Sequence, residues 1–318
     1  QGCNLAGPES SDLQGGEGGD LYVIELVKDH AAAEVVDLGA AGTDEIRVTA
    51  TTTSTLTIFA GDVGLERAVI GTGTAAAAVT SGAISINIDA ALAPNALTLV
   101  GNAGVNRLVG TAYNDSIDGG AGGDDMLGGQ GDDLYIVDNT RDAITELANQ
   151  GMDRVQTALS HALAANVEDL LLTGTAAVNG TGNPLANHIT GNSARNVIDA
   201  GAGLDVLDAA GGSDLYIVAA AADHPGAEFA DTGTGLADVD EVRFTATSGT
   251  LVLAAGDTGI EQVVIGTGVA AAAVTTAKTT VHVDAAAVTK GLSFGGNDGD
   301  NGIVGTGFDD RFQARLGN

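Results

Sequence analysis

The chain has 318 residues, with 42 acidic against 12 basic side chains and a formal net charge of −30. Such a polyanion is repelled by nucleic acid and by anionic membrane surfaces, so neither is expected as a partner, and cations must supply its counter-charge. Hydrophobic residues make up 44%, enough for a core, but aromatics are 3%, Trp is absent and the single cysteine, Cys3, excludes an internal disulfide framework.

Taken in chain order, the first residues, QGCNLAGPES, hold no basic-plus-apolar leader, and no stretch reads as a membrane-spanning helix. A Gly-rich unit, GGEGGDLYV, stands at 15–23 and contains Asp20. The longest uncharged run, 68–88, closes with the alternation Ile84-Ser-Ile86-Asn-Ile88, which predicts a strand. Residues 101–136 then read as four nine-residue units without a gap: GNAGVNRLV, GTAYNDSID, GGAGGDDML and GGQGDDLYI. The following stretch carries the phrases Y-x-V-D-N, D-x-I-x-E, G-x-D-x-V and A-N-V-E-x-L-x-L-x-G, each a short β-prone segment bounded by a turn signal, with a short helix expected over Ser160–Asn166. A second block of four units fills 182–217: GNPLANHIT, GNSARNVID, AGAGLDVLD and AAGGSDLYI.

A longer duplication lies over these blocks. Residues 61–80 recur as 256–275, and the match continues without a gap to Gln313, setting Asn106 against Asn301 and Asp115 against Asp310. Upstream, GGDLYV at 18–23 recurs as GSDLYI at 212–217. The reading is one continuous solenoid over 1–318, with a long stretch A at 18–118, a middle stretch B at 119–211 and a stretch C at 212–318 that duplicates A. The chain stops at ARLGN inside a fresh nonapeptide, which reads as an excerpt of a longer protein or as a subunit with open solenoid ends.

The rule beneath both blocks is G-G-x-G-x-D-x-U-x, with U a large apolar residue or Tyr. Glycine permits the tight, positive-φ turn, and the x-U-x stretch is extended with one side chain inward. Nine residues bury nothing alone, but stacked copies do, so Leu108, Ile117, Met126, Tyr135, Ile189, Ile198, Leu207 and Tyr216 are expected inside. The chain resembles the RTX family, the haemolysin-type calcium-binding nonapeptide repeats of secreted bacterial proteins. That resemblance implies an all-β fold, a parallel β-roll or β-helix solenoid with Gly/Asp-rich calcium-binding turns, in which two nonapeptides make one coil. It also implies type I secretion.

Stacking of alternate units would set Asn106 over Asp124, Asp115 over Asp133, Asn187 over Asp205 and Asn196 over Asp214. Calcium takes six to eight hard oxygens from carboxylates and carbonyls, which two stacked acidic turns supply. The candidate ligands for several Ca2+ ions are therefore these eight residues and the turn glycines Gly119, Gly120, Gly122, Gly128, Gly129 and Gly131, with Asp20, Asn301 and Asp310 from the outlying repeats. A Gly/Asp-rich surface turn without an ion is the alternative. GGAGGDDML and GGQGDDLYI fit the rule best. Tyr113, Leu185 and Ala194 at position 4 and Ala200 and Ala209 at position 1 depart from it, and 182–199 fits worst.

Other motifs carry less. Strings such as GGAGGD lack the strand-to-helix step and the Lys of a phosphate loop. The sequons at 114–116 and 179–181 fit chance, and the former lies inside a repeat. The histidines, at 30, 161, 188, 224 and 282, share no zinc spacing and are expected to face solvent or stack. No nucleophile elbow appears, and the aromatic content is poor for a sugar platform. The expectation is a non-enzymatic, extracellular or cell-surface calcium-binding protein of structural or adhesive kind: part of a filament, sheath, surface layer or adhesin. It would self-associate end to end or bind matrix or surface components, without membrane insertion. The alternative is the calcium-dependent tail of a secreted enzyme or toxin whose catalytic domain lies elsewhere.

Overall fold

In a computed structural model the residues described are 3–5, 13–25, 27–31, 34–39, 41–73, 77–233, 238–313 and 315. Their regular elements are almost all short strands, three or four residues long in most coils, that run parallel to their neighbours. The chain is a parallel β-solenoid. Helical structure among the described residues is confined to two single 3₁₀ turns, Val27–Asp29 and Ala221–Asp223. No helix among them is long and apolar enough to cross a membrane.

Two compact units form, one of Gln1–Gln156 with Ala164–Asn166, the other of Thr157–Leu163 with Val167–Asn318. In the first, one sheet stacks Leu21–Ile24, Glu45–Val48, Arg67–Ile70, Thr98–Val100, Ser116–Asp118 and Leu134–Val137. A second sheet stacks Ser54–Thr57, Ile86–Asp89, Arg107–Val109, Asp125–Leu127 and Ala143–Ile144. The chain alternates between the two, which is the winding of a coil. The inward column of the first sheet is Tyr22, Ile46, Ala68, Leu99, Ile117 and Tyr135, each in Cα register with the next and each fully buried. Leu56, Ile88, Leu108 and Met126 line the second sheet in the same way.

The second unit repeats the scheme. Val197–Asp199, Leu215–Val218, Glu241–Phe244, Gln262–Ile265, Ser293–Gly295 and Arg311–Gln313 share a sheet. Ile198, Tyr216, Val242, Val263 and Phe294 form its buried column. Each such side chain contributes about 1.5–3 kcal/mol by leaving water, which suits a core made of rows rather than a globule. All eight inward residues expected from the repeat rule are buried.

The helix expected at Ser160–Asn166 does not form. His161–Ala162 is a strand, and Asn166 turns the chain at φ 65°. The His161 and Leu163 amides donate to the Asn179 and Thr181 carbonyls at 2.9 Å. One helical turn could offer this segment little, whereas the adjacent coil presents acceptors ready-made.

Two antiparallel bridges, Thr72–Val79 and Thr267–Val274, stand outside the parallel coils. Buried arginines hold them. Arg47 donates to Glu45 at 2.5 Å and to the Gly73 carbonyl at 2.7 Å, and Arg243 donates to Glu241 at 2.6 Å and to the Gly268 carbonyl at 2.7 Å.

Candidate metal centres

Each nonapeptide turn brings its position-6 side chain against the backbone of the coil before it. Two kinds of turn result. In the first, position 2 is Asn or Thr, and its amide donates inward to the position-6 oxygen. Asn102 donates to Asn106 at 2.8 Å, Asn183 to Asn187 at 2.7 Å and Asn192 to Asn196 at 2.9 Å. The position-6 amide nitrogens donate in turn to backbone carbonyls, Asn106 to Ile86 and Asn196 to Val178, both at 2.6 Å. Asn301 repeats this, accepting from Asn297 and donating to Val281. Both ends of each amide are used, so these turns are closed by the protein itself.

Asp115 and Asp310 are closed as well. Asp115 Oδ1 accepts from the Leu97 amide at 2.6 Å and the Thr111 hydroxyl at 3.1 Å, and its Oδ2 accepts from the Thr111 amide at 2.5 Å. Asp310 is held by the Leu292 and Thr306 amides and the Thr306 hydroxyl.

In the second kind, position 2 has positive φ: Gly120 at 72°, Gly129 at 110°, Gly201 at 79° and, without glycine's freedom, Ala210 at 67°. At three of these the position-2 amide donates outward instead, Gly120 to Asp118, Gly201 to Asp199 and Ala210 to Asp208. The position-6 residues of these turns are Asp124, Asp133, Asp205 and Asp214. Oδ1 of each accepts the amide of the residue stacked on it, Asn106, Asp115, Asn187 and Asn196, at 2.7–2.8 Å. Oδ2 of each is buried with no hydrogen-bond partner. The four residues are at most 2% exposed.

A buried anionic oxygen without a donor is costly, and the carboxyls respond. Burial pushes Asp124 up to about 6 against the pull of the Asn106 amide, with Asp142 pushing further. Burial raises Asp133 to about 8, with Asp115, Asp153 and Glu146 adding to it, and raises Asp214 to about 7 and Asp205 to about 6. Either a proton or a cation relieves such a site. Only a cation also suits the oxygen-rich turn around it.

The glycines serve this stacking. A Cβ on Gly129 would strike the Thr111 carbonyl of the coil before it, and one on Gly122 the Gly104 carbonyl. Gly120 and Gly131 meet the Asn102 and Tyr113 backbone in the same way, while Gly119 and Gly128 pack directly on the Asp124 and Asp133 carboxylates.

A family model described as the RTX calcium-binding nonapeptide repeat (4 copies) matches residues 100–135 and 181–216. The chain carries RTX calcium-binding repeats. No curated protein and no solved structure matches it. The RTX segments contain all four open turns, and their carboxylate oxygens fit a hard cation, so calcium is the ion these turns are built to take.

Three acidic clusters extend beyond the RTX rule. Asp20, Asp37 and Asp44 each offer an oxygen within 4.8 Å of the others, as do Asp133, Glu146 and Asp153, and Asp214, Asp231 and Asp240. In each, the position-6 Asp donates its amide to the last acid, at 2.7, 2.9 and 2.8 Å. In each, a tyrosine hydroxyl donates to the middle one: Tyr22 to Asp37 and Tyr216 to Asp231 at 2.5 Å, and Tyr135 to Glu146. The repeat rule does not contain the second and third acids. The signal for them was the recurring D-L-Y at 20–22, 133–135 and 214–216, together with the D-x-I-x-E and G-x-D-x-V phrases that hold Glu146 and Asp153.

Neither His30 nor His224 faces solvent. His224 stacks on Phe229 with ring centroids 4.7 Å apart, as one branch of the expectation had it, but both rings also meet buried acids that it did not include. His224 is buried between Glu228 at 2.8 Å and Asp257 at 3.0 Å, and His30 lies 3.1 Å from Asp62. Burial would depress the His224 imidazolium, but the bonds to Asp257 and Glu228 outweigh it and lift the group to about 9. His188 is exposed, as expected.

Proposed function

We propose that this is an extracellular calcium-binding protein of structural or adhesive kind, in which ions at the open turns lock each stack of coils. The observation that carries the reading is the set of four buried carboxylate oxygens, on Asp124, Asp133, Asp205 and Asp214, that no protein donor satisfies. The ligands are assigned to these aspartates. Asn106, Asn187, Asn196 and Asn301, with Asp115 and Asp310, belong to turns that close without an ion. Extracellular calcium modules bind at roughly 10⁻⁴–10⁻³ M, so the sites fill outside a cell and empty in a cytosol.

A structural rather than catalytic role is supported by how the other acids are spent. Asp44, Glu66, Asp142, Asp240 and Glu261 accept backbone amides from adjacent coils, so side chains that could do chemistry hold the stack instead. A parallel strand edge that no further coil covers recruits strands of other copies, so end-to-end association is part of the proposal wherever an edge is left free.

Circular dichroism and thermal melting of the full chain, in excess EDTA and after return to millimolar calcium, test the ion. A large loss of β signal or melting temperature on chelation, restored by calcium, is expected. An unchanged spectrum and melt would sink the proposal. Light scattering in millimolar calcium tests association, and a monomer at every concentration overturns that part.

A further inference from the structure

Resting on the calcium reading of the open turns, we propose that Asp133, Glu146 and Asp153, closed by Tyr135, form a site for a hard divalent cation of calcium's size. The cluster Asp214–Asp231–Asp240 with Tyr216 is its weaker counterpart. The site is built jointly by one RTX turn and by two acids from outside the repeat, so the nonapeptide rule does not describe it.

Three observations converge. First, Asp133 Oδ2 is buried without a hydrogen-bond partner, and Asp133 is 2% exposed. Second, that oxygen, the Tyr135 hydroxyl and Glu146 Oε1 all crowd the Cα of Gly128, where a Cβ would collide with each of them. Third, Asp153 brings another carboxylate oxygen to within 4.8 Å of the Asp133 and Glu146 oxygens. Glu146 and Asp153 are themselves buried, at 5% and 1% exposure. Three carboxylates held this close in a buried place repel one another unless a proton or a cation relieves them, and a place lined by this many oxygens suits the cation. The donors are oxygens only, with no imidazole or thiolate, which favours calcium over zinc. Three carboxylates can supply up to about six oxygens, and the irregular cage does not demand the strict octahedron that magnesium prefers.

The residue at repeat position 8 makes the cage possible. An aliphatic side chain there would only fill the core, whereas the Tyr135 ring fills it and carries its hydroxyl on to Glu146. The counterpart differs at two places, with Asp231 for Glu146 and Ala209 for Gly128. Where the first cage has Gly128, the second has Ala209, fully buried, whose amide donates to the Tyr216 hydroxyl at 2.9 Å. A methyl thus stands where Gly128 leaves room for oxygens, and weaker binding follows.

The chain offers its own probe. It has no Trp and four Tyr, and Tyr22, Tyr135 and Tyr216 each sit in an acidic cluster while Tyr113 is exposed. Terbium(III) added to the full-length protein, with excitation of tyrosine, should give sensitised emission that calcium displaces. Tyr135→Phe should remove the larger part of it, because the Tyr135 cage is the tighter of the two. In calcium titration calorimetry Glu146→Gln should lose one ion or weaken one site about tenfold or more. Asp124→Ala, in an open turn without a cage, should also lose an ion but keep the terbium emission.

Glu146→Gln titrating like wild type while Asp124→Ala loses an ion overturns the cage and leaves the turn reading intact. Both variants titrating like wild type overturns both. Should Glu146→Gln not fold, Tyr135→Phe and Ala209→Gly decide. Ala209→Gly should tighten the second site, a gain that a purely structural role for these acids does not produce. Unchanged emission in the first together with unchanged affinity in the second overturns the proposal.

Discussion

Asn196 and Asp214 occupy the same position of nonapeptides on adjacent coils, yet they solve the turn in opposite ways. Asn196 accepts the Asn192 amide and donates to the Val178 carbonyl, so its coil edge is complete. Asp214 accepts one amide, from Asn196, and leaves its second oxygen buried and unmatched. The first turn is stable by itself. The second stores an electrostatic demand that an ion meets. Asn106 and Asp124 repeat the contrast in the other unit. On the proposed reading, the solenoid mixes coils that take calcium with coils that do not, through the choice of residue at positions 2 and 6.

The largest effect should come from removing the demand everywhere. Replacing Asp124, Asp133, Asp205 and Asp214 together by Asn should abolish the rise in melting temperature on adding calcium. Each bound ion is worth about 2.7 kcal/mol at a hundredfold excess over its Kd, so the wild-type response to four is large. A quadruple variant that still responds fully would break the comparison.

The reverse substitution sharpens it. From charge alone, Asn106→Asp is expected to tighten a calcium site. The structure reverses that expectation, because the Asn102 amide already occupies the oxygen and the new carboxylate would face the Ile86 carbonyl. Asn106→Asp and Asn196→Asp should each destabilise the chain by about 1–3 kcal/mol in denaturant unfolding, with no gain in calcium stoichiometry. An added ion in either titration would show that closed turns bind after all.

Converting one turn is a smaller and more specific change. Asp124→Asn alone should turn an open edge into a closed one, with Gly120 kept because a Cβ there would strike the Asn102 carbonyl. One ion should be lost by calorimetry, while stability in EDTA rises by about 1 kcal/mol as a buried unsatisfied charge is removed. A fall in EDTA stability would mean that Asp124 contributes mainly as a hydrogen-bond acceptor for Asn106.

The smallest effect concerns a part of the coil that uses no ion. His224 is clamped by Glu228 and Asp257, and its folded-state value of about 9 lies above the ordinary 6.5. A raised value means that its stabilisation is fully present below about pH 6.5 and is lost as pH climbs through about 9. The melting temperature of wild type should therefore exceed that of His224→Gln by a few degrees at pH 6, and the gap should close by pH 10. A gap that stays constant with pH would show that the imidazole acts by packing on Phe229 rather than by charge.

The period of nine determined the strand positions, the inward column and the stacking of alternate units, because a backbone that turns every nine residues must present the same side chain to the same neighbour each time. Composition determined that the ion would be a cation held by oxygen. What only the tertiary structure decided was which repeat aspartates keep a buried oxygen without a donor. Asp115 and Asp133 look alike in the repeat, and their difference lies in the amide and hydroxyl that Thr111 gives to Asp115 and in the positive φ of Gly129 at the matching place before Asp133. Likewise Glu146, Asp153, Asp231 and Asp240 fall at uneven distances from their tyrosines along the chain. They meet only because parallel coils bring the spacer turns over the nonapeptide turns, and His30 and His224 are buried for the same reason. Local sequence fixes the turn. The partner of each buried charge is set by the coil stacked on it, through distances that no one-dimensional spacing encodes.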